Sequence, residues 1–322
     1  MARQRSQNNM FFAHRVAPVG IASVEWSPVP SGRLAFGEGV HVVVSICAVT
    51  AAIVGVQLDT PLVTILLCAA ILLFGLPHGT FDLALIRKAH ADQRTLGVIA
   101  LYLGCAAAMF AVWSMAPALA LVIFFGLSIA HFAEDWTDRL PSFLAHGTST
   151  ALLTAPALLH HDALEALFIL LVGDAASGLL AAVAVLVAPV SLAIASVAII
   201  ALWHDGHRIN AVATGTALSA MIFLPPVAGF ALFFCLMHSP AQFTAARQTL
   251  RWYRPRQWAP VVVLLTCAAL GIAAIIFATL ASAALTAGVT MTAFMTLSVL
   301  TLPHMTVPMI VAQLSRYRLR SV

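Results

Sequence analysis

Histidine is the residue type through which this chain can do chemistry. It has 12 histidines, as many as Asp and Glu together, in 322 residues that are 61% hydrophobic and only 9% charged. Ionisable groups inside apolar segments are costly and point to function. Four lie in apolar runs: His78 in Gly75-Leu76-Pro77-His78-Gly79-Thr80-Phe81-Asp82, His131 in Ala130-His131-Phe132-Ala133-Glu134-Asp135, His238 in Met237-His238-Ser239-Pro240, and His304 in Leu302-Pro303-His304-Met305-Thr306. Imidazole suits iron, zinc, copper and nickel, so these four predict one metal site. Asp82 follows His78 by four residues and Asp135 follows His131 by four, a spacing that puts both members of each pair on one helical face. A carboxylate there takes the second ring N–H of a metal-bound imidazole and fixes its tautomer. Asp82 and Asp135 are predicted in that supporting role, with Glu134 as an alternate. Gln242 stands at the same offset from His238 as a neutral partner.

The elements that carry these residues must be membrane helices. A soluble domain carries about a quarter charged residues, and the mean hydropathy of +0.99 leaves too little polar sequence to solvate a globular surface. No strand-period alternation runs through the apolar stretches, so the fold class is all-α, a polytopic helical bundle. The basic balance, net +4, resides in short loops and tails and reports orientation, with no nucleic-acid partner expected. The five cysteines all fall in apolar runs without a CxxC pair and read as small buried residues.

Apolar runs of about 20 residues fall near 39–57, 62–86, 96–115, 117–135, 259–283 and 289–312. The middle holds a weaker run at 143–159, a long one at 163–203 that Pro189 is expected to divide, and one at 211–238 interrupted by Pro225-Pro226. This makes about ten crossings, or eight if middle pieces are re-entrant. Residues 1–38 read as a disordered cytoplasmic tail without a cleavable signal. Residues 39–315 read as one transmembrane domain carrying the metal site, and 316–322 as a basic cytoplasmic tail. With the N-terminus inside and ten spans, only Arg208 among the basic residues falls outside, so both termini are expected in the cytoplasm. In that threading the spans of His78, His131, His238 and His304 all run inward, and the four imidazoles share one depth in the inner half of the bilayer. Pro77 and Pro303 are expected to bend their helices just before a histidine. His14, His41, His90 and His146 read as solvated or interfacial, and the pair His204 and His207 as a loop cluster held in reserve.

The run Leu76-Pro77-His78-Gly79-Thr80-Phe81-Asp82, together with His131-Phe132-Ala133-Glu134-Asp135, His238-Ser239 and Leu302-Pro303-His304-Met305, resembles the bacteriorhodopsin-related protein-like family of membrane β-carotene 15,15′-dioxygenases. The resemblance covers residues from about 60 to 312. It implies an Fe(2+) enzyme of the cell membrane that splits β-carotene at its central double bond with O₂, giving two all-trans-retinal. It also implies that His78, His131 and His238 are metal ligands. One departure stands out: where the family usually has a further histidine four residues after His238, this chain has Gln242. Either Gln242 ligates weakly or His304 completes the set. The depth and Pro-His context that His304 shares with His78 favour His304. Zinc does not change oxidation state, so iron agrees with O₂ chemistry. A carotenoid dissolved in the lipid bilayer would reach such a site between helices. Phe81, Phe124, Phe125, Phe132, Phe233 and Phe234 are candidates to line its path.

Two other functions fit parts of the pattern. A membrane di-iron desaturase or hydroxylase needs dense HxxxH and HxxHH clusters, of which only His160-His161 and His204/His207 are hints. A proton-coupled transporter would use the buried His and Asp groups as a relay.

Overall fold

The computed structural model describes residues 36–89, 95–250, 255–280 and 283–320. Among them every regular element is a helix, with no strand. The tail predicted over 1–38 lies almost wholly outside the described residues.

Prolines and a polar cap start the early helices. α1 spans Phe36–Ile53. α2 (Pro61–Ala70) begins on Thr60, whose hydroxyl accepts from the Val63 N–H at 3.5 Å, with Pro61 in the first turn where its missing donor costs nothing. The chain then passes through a π turn (Ile71–Gly75) and a 3-10 turn (Leu76–Phe81) into α3 (Asp82–Ala89). α4 (Thr95–Met115) and α5 (Pro117–Ala133) follow with Ala116 alone between them, and then α6 (Ser142–Thr154).

The middle of the chain corrects one expectation. Pro189 lies inside an unbroken helix, α8 (Asp174–His204), preceded by α7 (His161–Val172). The break falls at Gly173, whose φ of 79° suits glycine alone among ordinary residues. Membrane helices tolerate an internal proline where neighbouring groups satisfy the freed carbonyl. The segments Ser142–Leu158 and His161–Val172 meet at 106°, a broken or re-entrant path. The interruption at Pro225-Pro226 occurs as expected, between α9 (Arg208–Phe223) and α10 (Pro226–Phe233). A second π turn (Phe234–His238) leads into α11 (Ser239–Thr249). α12 (Pro255–Thr279) and α13 (Leu285–Arg320) complete the bundle, and α13 stays helical through Pro303 and Pro308.

Among the described residues six helices are long and apolar enough to cross a bilayer, or seven if the bent pair is one span, and Gly39–Ile53 and Pro117–Ala133 are shorter apolar helices. Large apolar side chains face outward, among them Leu179, Leu186 and Val190 of α8 and Val263, Leu264 and Ile275 of α12. Such a surface belongs against lipid. Inside, helices meet through small residues. The buried face of α8 reads Ser177, Ala181, Ala184, Ala188, Ser191, Ala195 and Ala198, a pattern that lets membrane helices approach closely. Buried tryptophans carry hydrogen bonds: Trp113 Nε1 donates to Ser298 Oγ at 2.9 Å, joining α4 to α13, and Trp136 Nε1 donates to Thr214 Oγ1 at 2.9 Å. α13 packs against α4, α5, α12 and α2, and so stands at the centre of the elements that bear the histidines.

Candidate metal centre

Two π turns prepare the site. Each precedes one of the sequence-predicted histidines: Ile71–Gly75 before His78, and Phe234–His238 ending on His238 itself. A π turn inserts a residue into a helix and leaves carbonyls off the regular ladder, a device common at functional sites. Ser239 meets that need, donating its hydroxyl toward the carbonyls of Phe74 at 2.8 Å and Gly75 at 3.2 Å. A Cβ on Gly75 would run into the ring of Phe234, so glycine is what allows the two turns to pack. Gly75→Val is accordingly expected to lower the thermal transition of the purified protein, the cost being about 1–3 kcal/mol of overpacking. An unchanged transition would mean that the turns can separate without loss.

His131 (α5), His238 (second π turn) and His304 (α13) converge. The Nε2 atoms of His131 and His238 are 3.1 Å apart, and the His131 ring lies 4.7 Å from both the His238 and the His304 rings. Buried carboxylates hold the far nitrogens. His238 Nδ1 donates to Asp135 Oδ2 at 2.8 Å, and His304 Nδ1 donates to Asp82 Oδ2 at 2.7 Å. With Nδ1 engaged in this way, Nε2 is the nitrogen of each ring that is left to take a metal. The carboxylates are themselves braced: Gln242 Nε2 donates to Asp135 Oδ1 at 2.9 Å, and the Tyr102 hydroxyl donates to Asp82 Oδ2 at 3.2 Å. Glu134 Oε2 lies 3.4 Å from His131 Nδ1.

The donor set fits a metal ion. Two imidazole nitrogens bound side by side at bonds of about 2.1 Å and a right angle stand about 3 Å apart, which is the spacing of the His131 and His238 Nε2 atoms. Among the described residues, no three His, Cys, Asp or Glu side chains form a closed metal-holding group. The His78 side chain lies outside the described residues, while its backbone sits in the 3-10 turn that leads directly to Asp82.

The histidines border an apolar cavity. His131, His304, Asp82 and Tyr102 occupy its wall together with Phe124, Phe132, Phe230 and Phe234, and aliphatic residues of α3, α4, α12 and α13 complete it. Of the aromatic candidates, Phe124, Phe132 and Phe234 line the cavity. Phe81 instead packs on Phe243 and Trp258, Phe125 on Phe124 and Phe168, and Phe233 on Phe132 and His238.

The sequence pattern of the family described as β-carotene 15,15′-dioxygenase matches residues 69–311. The chain belongs to that family. A relative named β-carotene 15,15′-dioxygenase, from an uncultured marine bacterium 66A03, is 27% identical over 261 residues, covering 74% of this chain and 90% of the relative. No solved structure matches.

Within this carotene dioxygenase family member, the structure brings together His131, His238, His304, Asp82, Asp135, Glu134 and Gln242. The pairing differs from the spacing argument in two respects: Asp135 serves His238 of another element, not His131 four residues before it, and Asp82, expected to support His78, is bonded to His304 of α13. α5 ends at Ala133 and residues 134–139 turn, so Asp135 is no longer on the helical face of His131. His41, read as interfacial, is fully buried within α1, with Ser45 Oγ 3.4 Å from its Nδ1. His204 is exposed beside its own neighbour Asp205 and, among the described residues, joins no metal-holding group. Sequence reasoning missed Tyr102 and Phe230. A lone tyrosine in the apolar run 96–115 was the available signal, because a buried phenol needs a partner.

Proposed function

We propose that the protein is an Fe(2+)-dependent membrane dioxygenase that cleaves β-carotene at its central double bond with O₂ to give two molecules of all-trans-retinal. The observation that supports this reading most is the cluster of imidazoles with carboxylate-held Nδ1 atoms at the wall of an apolar cavity, in a chain of the carotene dioxygenase family. The relative whose printed name is β-carotene 15,15′-dioxygenase supports the substrate and the bond cleaved. His78, His131, His238 and His304 would hold the iron, with position 242 as the rival for the fourth place. When bound, ferrous iron supplies the redox chemistry that joins O₂ to an alkene.

The chain's own residues do the rest. Asp135 keeps the proton of His238 on Nδ1, and Asp82 does the same for His304, so both rings turn Nε2 inward. Gln242 and Tyr102 hold those carboxylates in place through one hydrogen bond each. The phenylalanines around His131 exclude water and offer aromatic faces to a conjugated chain. A substrate without polar groups requires such a wall.

Expression in β-carotene-accumulating cells tests the reading, with pigment loss and retinal formation expected. Metal analysis should give about one iron per chain, as expected for a single imidazole site. Persistent pigment without retinal, or protein that takes up no iron after anaerobic reconstitution, would overturn it.

We place the protein in the cell inner membrane with both termini cytoplasmic, on the asymmetry of its basic loops. A reporter fused after Arg320 is then expected inside, and a tag inserted between Leu58 and Pro61 outside. Labelling of that tag only after permeabilisation would reverse the orientation.

A further inference from the structure

We infer that the gap between α4 and α12 is the port through which the carotenoid passes from the bilayer to the histidines, an inference that rests on the carotene-cleaving reading. α4 and α12 each pack on α13 but not extensively on each other. The cavity continues into the space between them, bounded by Ile99 and Leu103 on one side and by Leu265, Ala268 and Ile272 on the other. Two of these residues belong at once to the interior and to the outer surface: Leu103 lines the cavity yet is 56% exposed, and Ala268 lines it and is also exposed. A cavity wall that is also lipid-facing surface marks an opening.

The rim has no hydrogen-bonding side chain. An opening of that kind in the apolar belt does not serve water or a polar metabolite, because either would leave its own polar groups unsatisfied there. It suits a long hydrocarbon already dissolved in the bilayer. Ala268 adds breadth by having almost no side chain. One residue from Leu103, Tyr102 begins the polar end of the path, its hydroxyl on Asp82 and Asp82 on His304. The route therefore runs from lipid, across an apolar rim, to the imidazoles.

The test measures uptake without turnover. Purified protein is mixed anaerobically with phosphatidylcholine liposomes carrying β-carotene, and pigment co-eluting with protein is followed over time. Ala268→Trp and Leu103→Trp are expected to slow uptake about tenfold, because a steric gate acts on the association rate. Leu103→Ala should be no slower than wild type. Leu186→Trp, on the exposed face of α8, should match wild type. If Ala268→Trp does not fold, Leu103→Trp, replacing a side chain already large and half exposed, carries the measurement. Uptake at the wild-type rate by the folded rim variants, or equal slowing by Leu186→Trp, overturns the port. So does a wild-type protein that takes up no carotene. Wild-type protein that takes up carotene through this rim but yields no retinal in air would overturn the reaction and leave the port standing.

Discussion

Replacing His304 is expected to empty the site, while replacing Gln242 is expected only to weaken it. His304→Ala should lose both bound iron and retinal formation, and His304→Gln, which keeps the bulk, should lose them as well. The reason lies in what each side chain already does. The His304 ring donates its Nδ1–H to Asp82 and lies 4.7 Å from the His131 ring on the cavity wall, which leaves the Nε2 lone pair for a metal. Gln242 has its amide nitrogen on Asp135, the carboxylate that orients His238. Imidazole binds iron far better than a neutral amide does.

Gln242→Ala should therefore behave as the loss of a support, costing roughly ten- to a hundredfold in metal affinity or activity without abolishing either. Gln242→His places an imidazole at that position and discriminates further. If position 242 is the fourth ligand, that change raises iron affinity. If His304 is, the change brings no gain and disturbs Asp135. Iron per chain by mass spectrometry and retinal yield, read on all four variants, decide the matter. Iron retained in both His304 variants and lost in Gln242→Ala would assign the fourth place to residue 242.

The residues that matter most were legible because their cost is visible in a sequence. Histidine in an apolar run has few explanations; loop charge gives His78, His131, His238 and His304 one expected depth, and the structure brings His131, His238 and His304 together. Their partners were less legible. The i, i+4 rule makes Asp135 face His131 because it assumes a continuing helix, and nothing local announces that α5 ends at Ala133. Which imidazole the carboxylate then meets depends on how α5 and the second π turn pack, and that is tertiary information. The same holds for Asp82 and His304, which lie 222 residues apart. The breaks show the opposite lesson. Pro189 in the sequence suggests a break that membrane helices often do not make at proline, whereas Gly173 with Asp174 after it is a readable stop. At Pro225-Pro226 the expected break occurs, since two consecutive prolines remove two donors and kink or break a helix.

Asp135 is the node where the support network is most concentrated, and its variants carry the second large effect. Asp135→Ala leaves the His238 Nδ1–H and the Gln242 amide facing a void, at a histidine with no exposed surface. An orphaned buried donor costs about 1–3 kcal/mol, so the protein should unfold at lower temperature. The loss for iron should be larger than for Gln242→Ala, because the His238 ring is then free to turn its protonated nitrogen inward. Asp135→Asn separates shape from charge. Its carbonyl oxygen can still accept from His238 Nδ1, and Gln242 can rotate its amide to offer its own oxygen to the new amide nitrogen. Asp135→Asn should thus recover most of the thermal stability and part of the iron retention that Asp135→Ala loses, with retinal formation between the two. Thermal unfolding and iron content measured across wild type, Asn and Ala give the order. If Asn is as damaging as Ala in both readouts, the negative charge and not the hydrogen-bond geometry is what His238 requires. If Ala matches wild type in both, Asp135 does not orient His238.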